Sequence, residues 1–136
     1  MTEAQLIARA LDARTRAYVP YSHFAVGAAL EAASGAVYTG CNIENAAYPV
    51  GLCAERAALA AAISAGERAF TRIAICGGRE GESAREVCAP CGMCRQALAE
   101  FCADSFEIIL PAEGRETRRL TLAALLPESF GPQNLT

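Results

Sequence analysis

Two short segments, far apart in the chain, restrict its folding more than any other feature: Cys53-Ala54-Glu55-Arg56 and Pro90-Cys91-Gly92-Met93-Cys94. Each opens a stretch with helical character. "CAERAALAAAISAGE" is an Ala-rich run ended by Gly66. "CGMCRQALAEFCAD" sets Cys94, Ala97, Leu98, Phe101 and Cys102 on one stripe. If the three cysteines serve one purpose, the fold must bring the first turns of two separate helices to one point.

The remaining segments supply a framework for that. Thr2 can cap a first helix, with Leu6, Ile7, Ala10, Leu11, Ala17 and Tyr18 at helical spacing. It stops at "YVPYS", where Pro20 restricts Val19 and has no N–H to give. "FAVGAALEAASGAVYTGCNI" reads as a β-hairpin around Ser34-Gly35. "TRIAIC" and "FEIIL" read as buried strands, "GGREGESAREVCAP" as a polar surface loop and "PAEGRE" as a turn. "TRRLTLAALLPESF" ends in a short helical segment stopped by Pro127. The order α-β-β-α-β-α-β-(α) predicts an α/β fold: a mixed sheet, part antiparallel and part parallel, with helices packed on it. Sites in such sheets lie where strands end and helices begin. Both cysteine segments fall at that kind of junction.

A chain of 136 residues is expected to form one domain over 1–136, with no repeat or linker. The net charge of −3 argues against a nucleic-acid partner, and the densest basic group, Arg115, Arg118 and Arg119, reads as a solvated face. "MTEAQLIARALDAR" has neither the basic nor the apolar region of a signal peptide, and no apolar run approaches the ~18 residues that span a bilayer. No membrane association and a cytoplasmic location are therefore expected. Seven cysteines, an odd number, in a reducing compartment do not make a disulfide framework. Cys41, Cys76, Cys88 and Cys102 lie among small apolar residues and are expected to be buried or half-buried free thiols.

Cys91 and Cys94, one helical turn apart, project from the same face and can hold one ion together. Cys53 can add a third thiolate from another helix start, and both helix dipoles favour the charged sulfurs. No fourth ligand is evident: the one histidine, His23, stands in a different motif. Spacing alone leaves catalytic zinc, structural zinc and a redox pair open, and three ligands with an open position favour catalysis. Water in such a position has its pKa lowered towards ~7. Glu55 is placed to take its proton and pass it to a leaving group. Three thiolates make the ion a poorer Lewis acid, and Arg56 is placed to donate hydrogen bonds to the sulfurs and withdraw charge.

Taken together, "YVPYSHFAVGAAL" (18–30), "GCNIENAAY" (40–48), "CAERAAL" (53–59), "PCGMCRQ" (90–96) and "LLPESF" (125–130) resemble the short, homotetrameric, zinc-dependent cytidine deaminases of nucleoside salvage. The segments appear in the family's order and span most of the chain. The resemblance implies a five-stranded mixed sheet sandwiched by helices. It also implies hydrolytic deamination of cytidine and 2′-deoxycytidine to uridine and 2′-deoxyuridine, with release of ammonia. Carried over by motif, Cys53, Cys91 and Cys94 bind one zinc per subunit and Glu55 shuttles protons. Asn42 and Glu44 meet the ribose 3′-hydroxyl, Phe24 walls the pyrimidine pocket, and Ala54 presents backbone groups to the base. Ala46 and Tyr48 contact the ribose end of a neighbour's substrate, and Phe130 reaches a neighbour's pyrimidine. The site would then be completed only by oligomerisation.

The chain departs from the family pattern in places. The Cys53–Cys91 interval is longer, and residues 78–89 absorb the excess. "PVGL" at 49–52 replaces a more polar run, and Cys76 and Cys88 are additions. Cys88 is not expected to be a ligand, and His23 is expected to be a surface or supporting residue. Two rivals share part of the pattern. Blasticidin-S-type aminonucleoside deaminases carry the same cysteine segments but do not need "NIENAAY". An inactive zinc-structured binding module would not need Glu55.

Overall fold

The structure is a computed structural model that describes residues 1–136. Its strands are β1 (Phe24–Ala32), β2 (Val37–Cys41), β3 (Phe70–Arg79), β4 (Glu107–Leu110) and β5 (Arg118–Thr121). They form one sheet in the order β2-β1-β3-β4-β5. The β3–β4 pair is parallel and the other three pairs are antiparallel, which is the mixed sheet the sequence predicts.

Side chains alternate across a strand, so a strand buried on both faces feeds two cores. Leu30, Ile73, Ile75, Ile108 and Leu110 point to one side, where they pack with α2 (Ala54–Ser64) and α3 (Gly92–Phe101). Ala29, Ala74, Cys76 and Ile109 point to the other, against Leu6 and Ala10 of α1 (Glu3–Arg14). Small residues prevail on the α1 side because that helix lies close. A Cβ on Gly27 would sit 2.1 Å from the Ala10 carbonyl oxygen, so glycine is required there. The result is three layers, with α1 on one face and α2 and α3 on the other. The four cysteines outside the two motifs are free, with Cys76 buried and Cys41, Cys88 and Cys102 half-buried, as expected.

Three segments differ from the sequence reading. The helical stripe that continues to Ala17 and Tyr18 overruns the helix, which ends at Arg14 with Thr15 as its cap. Tyr18 instead pairs with Ile43 as an isolated β-bridge. The strand read at "TRIAIC" runs on through Gly77, Gly78 and Arg79, which pair with Val26, Ala25 and Phe24. The loop after it is not wholly a surface feature, since Ala84 is buried. Glycines lie in the strand there because other groups cover it: a Cβ on Gly77 would meet Cys88 Sγ at 2.5 Å. Finally, Arg118–Thr121 adds the edge strand β5 ahead of the four-residue helix α4 (Leu122–Leu125). Residue patterns alone yielded four strands, and the fifth came only from the family resemblance.

Candidate functional site

Cys53 occupies the N-cap of α2, and Cys91 occupies the N-cap of α3. Cys94 follows one turn into α3 and is buried. The sheet brings the two helix starts together, so the three sulfurs lie within 4.8 Å of one another. Cys53 Sγ and Cys91 Sγ are 3.9 Å apart. Two sulfurs on a tetrahedral zinc with ~2.3 Å bonds are separated by about 3.8 Å, so this pair is already spaced for one ion. Cys88 is not part of the cluster.

The surroundings favour anionic sulfur at Cys91 and oppose it at Cys94, whose thiol is pushed up first by burial and then by the Glu55 charge. Burial acts to raise the Cys91 thiol. The N–H groups of Cys94 and Met93 at the start of α3, with the Cys94 and Cys53 thiols, outweigh it and hold Cys91 below the usual thiol value. Arg56 Nη2 donates to Cys53 Sγ at 3.5 Å. Its Nε is buried with no partner, an orphaned donor on a guanidinium that faces Cys53 and Cys94. A cationic fork with a spare N–H fits a tris-thiolate zinc, whose net charge is −1.

Glu55, two residues into α2, is the one buried charged residue of the chain, 5% exposed. Burial raises its carboxyl above the usual carboxylate range, against the opposing pull of its own backbone N–H, the Cys94 thiol and Arg56. A carboxyl moved in this direction holds a proton more firmly than an exposed one, which suits a group that must take a proton and return it. Ala54, at the first position of α2, is fully buried, and its backbone N–H belongs to the first turn, whose donors lack intrahelical acceptors.

The other expected residues form a second group. Residues 42–44 are threaded between two neighbours: Asn42 and Glu44 bond through their backbones to Tyr18, and Ile43 exchanges both backbone bonds with Leu52, next to Cys53. The Asn42 side chain continues the β1 edge. Its Oδ1 accepts from Val26 N at 2.9 Å and its Nδ2 donates to the Phe24 carbonyl at 2.9 Å. One amide N–H is left over for a ligand. Glu44 Oε1 accepts from Tyr21 N at 3.0 Å and Ser22 N at 3.1 Å. The Ser22 hydroxyl and these N–H groups hold its carboxyl below the usual range. Glu44 and Tyr48 line a cleft of about 360 Å³ with Tyr21, Ser22, Asn45 and Gly51.

None of the three cysteines lines that cleft. Phe24 borders a different, polar cleft formed with Gly78, Arg79, Gly81, Glu82, Ser83, Arg85 and Glu86. Ala46 is exposed, and Tyr48 and Phe130 are 75% and 60% exposed. His23 is exposed, in a left-handed conformation (φ 56°) with Nδ1 3.6 Å from Glu80. The sequence reading missed Tyr21 and Ser22, because "YVPYS" reads only as a helix stop. Nor does the sequence show a task for Arg95 and Gln96, which directly follow Cys94.

A sequence model of the cytidine and deoxycytidylate deaminase zinc-binding region matches residues 1–109. The cytidine deaminase of Sporosarcina psychrophila is 45% identical over 136 residues, covering 100% of this chain and 96% of its own. That of Halalkalibacterium halodurans is 42% identical over 135 residues, covering 99% and 98%. The crystal structure of cytidine deaminase from Burkholderia pseudomallei superposes with a TM-score of 0.86 at 43% identity, over 96% of this chain and 100% of that one. The cytidine deaminase structure from Mycobacterium tuberculosis gives 0.80 at 38% identity, over 96% and 98%.

Proposed function

This chain belongs to the cytidine and deoxycytidylate deaminase zinc-binding family, and from that premise we propose how its residues divide the work. The chain is a hydrolase that deaminates cytidine. Its action extends to 2′-deoxycytidine in this reading. Residues 1–136 act as one deaminase-like domain, located in the cytoplasm. Seven free cysteines support a reducing compartment. No helix is long and apolar enough to cross a membrane.

The observation that carries the mechanism is a buried carboxyl, Glu55, two residues from one member of a three-sulfur cluster. Cys53, Cys91 and Cys94 hold one zinc per subunit. Zinc, when bound, supplies the Lewis acidity that makes a water nucleophilic at neutral pH. The proton balance falls to Glu55. Water adds across the C4=N3 bond of cytosine: its oxygen bonds C4 and one of its protons goes to N3. The second proton goes to the amino group, the C4–N bond breaks, and ammonia leaves a C4 carbonyl, which is the uracil ring. Glu55 carries both protons, and its raised pKa suits a group that must accept and donate in turn.

Arg56 offsets the charge of the sulfurs. Ala54 offers a backbone N–H to the base, and Phe24 packs beside it. Asn42 and Glu44 receive the ribose hydroxyl with a free amide N–H and a carboxylate already oriented by backbone donors. Ala46, Tyr48 and Phe130 lie exposed, which suits contacts with the substrate of a neighbouring copy in a homotetramer. The aminonucleoside and inactive-module readings gain nothing from these features.

The test is turnover of purified, zinc-replete protein on cytidine, with cytosine, cytidine monophosphate and blasticidin S in parallel, and with Glu55→Gln beside the wild type. Loss of cytidine absorbance with ammonia release, little turnover of the others, and a drop of about 10²–10⁴-fold in Glu55→Gln with zinc retained are expected. Turnover surviving in Glu55→Gln would remove the mechanism.

A further inference from the structure

Helix α3 does more than carry two of the cysteines. Its next two residues, Arg95 and Gln96, reach the C-terminal segment. Arg95 Nε donates to the Pro90 carbonyl at 2.7 Å, and its Nη1 donates to the Leu125 carbonyl at 2.8 Å. Gln96 Nε2 donates to the Phe130 carbonyl at 2.9 Å. One guanidinium thus ties the residue before Cys91 to the end of α4, and the neighbouring amide ties down Phe130.

Between those two anchors lies a strained turn. Glu128 adopts φ 53°, a left-handed conformation that is strained for a residue with a Cβ and persists only where its surroundings impose it. Leu125 on one side and Phe130 on the other are the points held by Arg95 and Gln96. Yet the object being held, the Phe130 ring, is 60% exposed. A fixed backbone under a largely exposed aromatic ring points to a contact outside the chain, with the entropy of ordering already spent.

We infer that Arg95 and Gln96 are positioning residues: they bracket the strained turn at Glu128 and lock the Phe130 segment to the metal-ligand loop, so that Phe130 is presented pre-ordered to the nucleoside site of a second copy. The inference rests on the proposed reading that Phe130 serves a neighbour's site. It also joins two sites physically, because the Pro90–Cys91 loop of one copy shares a guanidinium with the segment it lends to the next.

The test uses Gln96→Leu, which removes the donor at an exposed position, with Arg95→Met and Arg95→Lys as a second pair. Gln96→Leu is expected to keep its zinc content and thermal midpoint, and to raise KM for cytidine about 5–20-fold with little change in kcat, the signature of lost binding in both ground and transition states. Arg95→Met should raise KM further, and Arg95→Lys should recover part of it. Co-expression of Gln96→Leu with Glu55→Gln is the decisive arm. Active sites in mixed oligomers receive an intact Phe130 segment from the Glu55→Gln copy, so KM should return towards the wild-type value. A KM that stays at the Gln96→Leu value in mixed oligomers makes the defect local and overturns the inference. So does a Gln96→Leu protein indistinguishable from an active wild type. Wild type silent on cytidine overturns the reading beneath and the inference with it, and the two failures are told apart by that control.

Discussion

Arg56 Nη2 lies 3.5 Å from Cys53 Sγ, while the Nε of the same guanidinium is buried without a partner. The pair is a fixed cation against a sulfur that zinc would render anionic, three residues apart across the first turn of α2. Removing such a partner typically costs 10–100-fold in metal affinity or activity. Arg56→Gln is therefore expected to retain near-stoichiometric zinc in excess metal and to lose about 10–100-fold in kcat. Arg56→Lys restores the charge but not the planar fork, so only part of the loss should return. Steady-state kinetics with metal analysis checks this. An unchanged kcat in Arg56→Gln would mean that the sulfurs need no charge relief.

Cys88 is the thiol most easily mistaken for a ligand, three residues before Cys91. It packs against the sheet at Gly77, and burial first, then the Glu55 charge, pushes its thiol up to about 11. It stands outside the sulfur cluster, and a thiol packed against the sheet there is a packing residue. Cys88→Ala should bind zinc as the wild type does, and lose roughly 1 kcal/mol of stability from the small void it leaves. Zinc stoichiometry and thermal melting decide the point, and loss of zinc would make Cys88 a ligand.

The parts of the site legible in the sequence were those in which chemistry dictates residue type. Cys53, Cys91, Cys94 and Glu55 fall in or beside the first turns of α2 and α3, the placement that their spacing predicts, and the three sulfurs cluster there. Asn42 was not legible from residues alone. It looks like a turn residue, and its side chain in fact completes the hydrogen bonding of β1 at Phe24 and Val26. Tyr18 misled because a helical stripe is a local pattern, while its bridge to Ile43 is a long-range choice. β5 was hidden by its length and charges: Arg118 and Arg119 are exposed on an edge strand of four residues, where apolar alternation is not needed. Gly77 and Gly78 read as loop because their cover is not a local pattern: Arg14 comes from α1, and Cys88 returns from the far end of the same polar stretch.

Away from the site, Glu31 of β1 and Arg72 of β3 form a two-pronged pair, Nε to Oε1 at 2.9 Å and Nη2 to Oε2 at 3.2 Å. The Arg72 hydrogen bond holds the Glu31 carboxyl below its ordinary range. The folded-state pKa is then below the unfolded one, near 4.3, and the folded state binds fewer protons between the two. The stabilisation is therefore complete above about pH 5 and lost as pH falls through the folded value. Glu31→Gln should be about 1 kcal/mol less stable than wild type at pH 7, and the two melting curves should converge towards pH 3. A gap that persists unchanged at pH 3 would assign the effect to packing and not to charge.

Arg14 closes α1 and reaches three carbonyl oxygens on separate segments: Ala25 in β1 at 2.9 Å, Arg79 at the end of β3 at 2.8 Å and Glu82 beyond it at 2.8 Å. These bonds help to fix the path of segment 78–89, together with the Gly77–Glu86 bridge and the Glu80 N–H to the His23 carbonyl. Phe24, which pairs with Arg79 and precedes Ala25, is held between two of those anchors. Arg14→Met removes all three donors while keeping the stem that covers the sheet. It should cost about 2 kcal/mol and speed hydrogen exchange across residues 79–86. Zinc content should not change, because the cysteine cluster is built on α2 and α3. If KM for cytidine rises in step with the exchange rate, Phe24 is positioned through Arg14. If exchange accelerates and KM stays, the segment is a stability element that substrate does not sense.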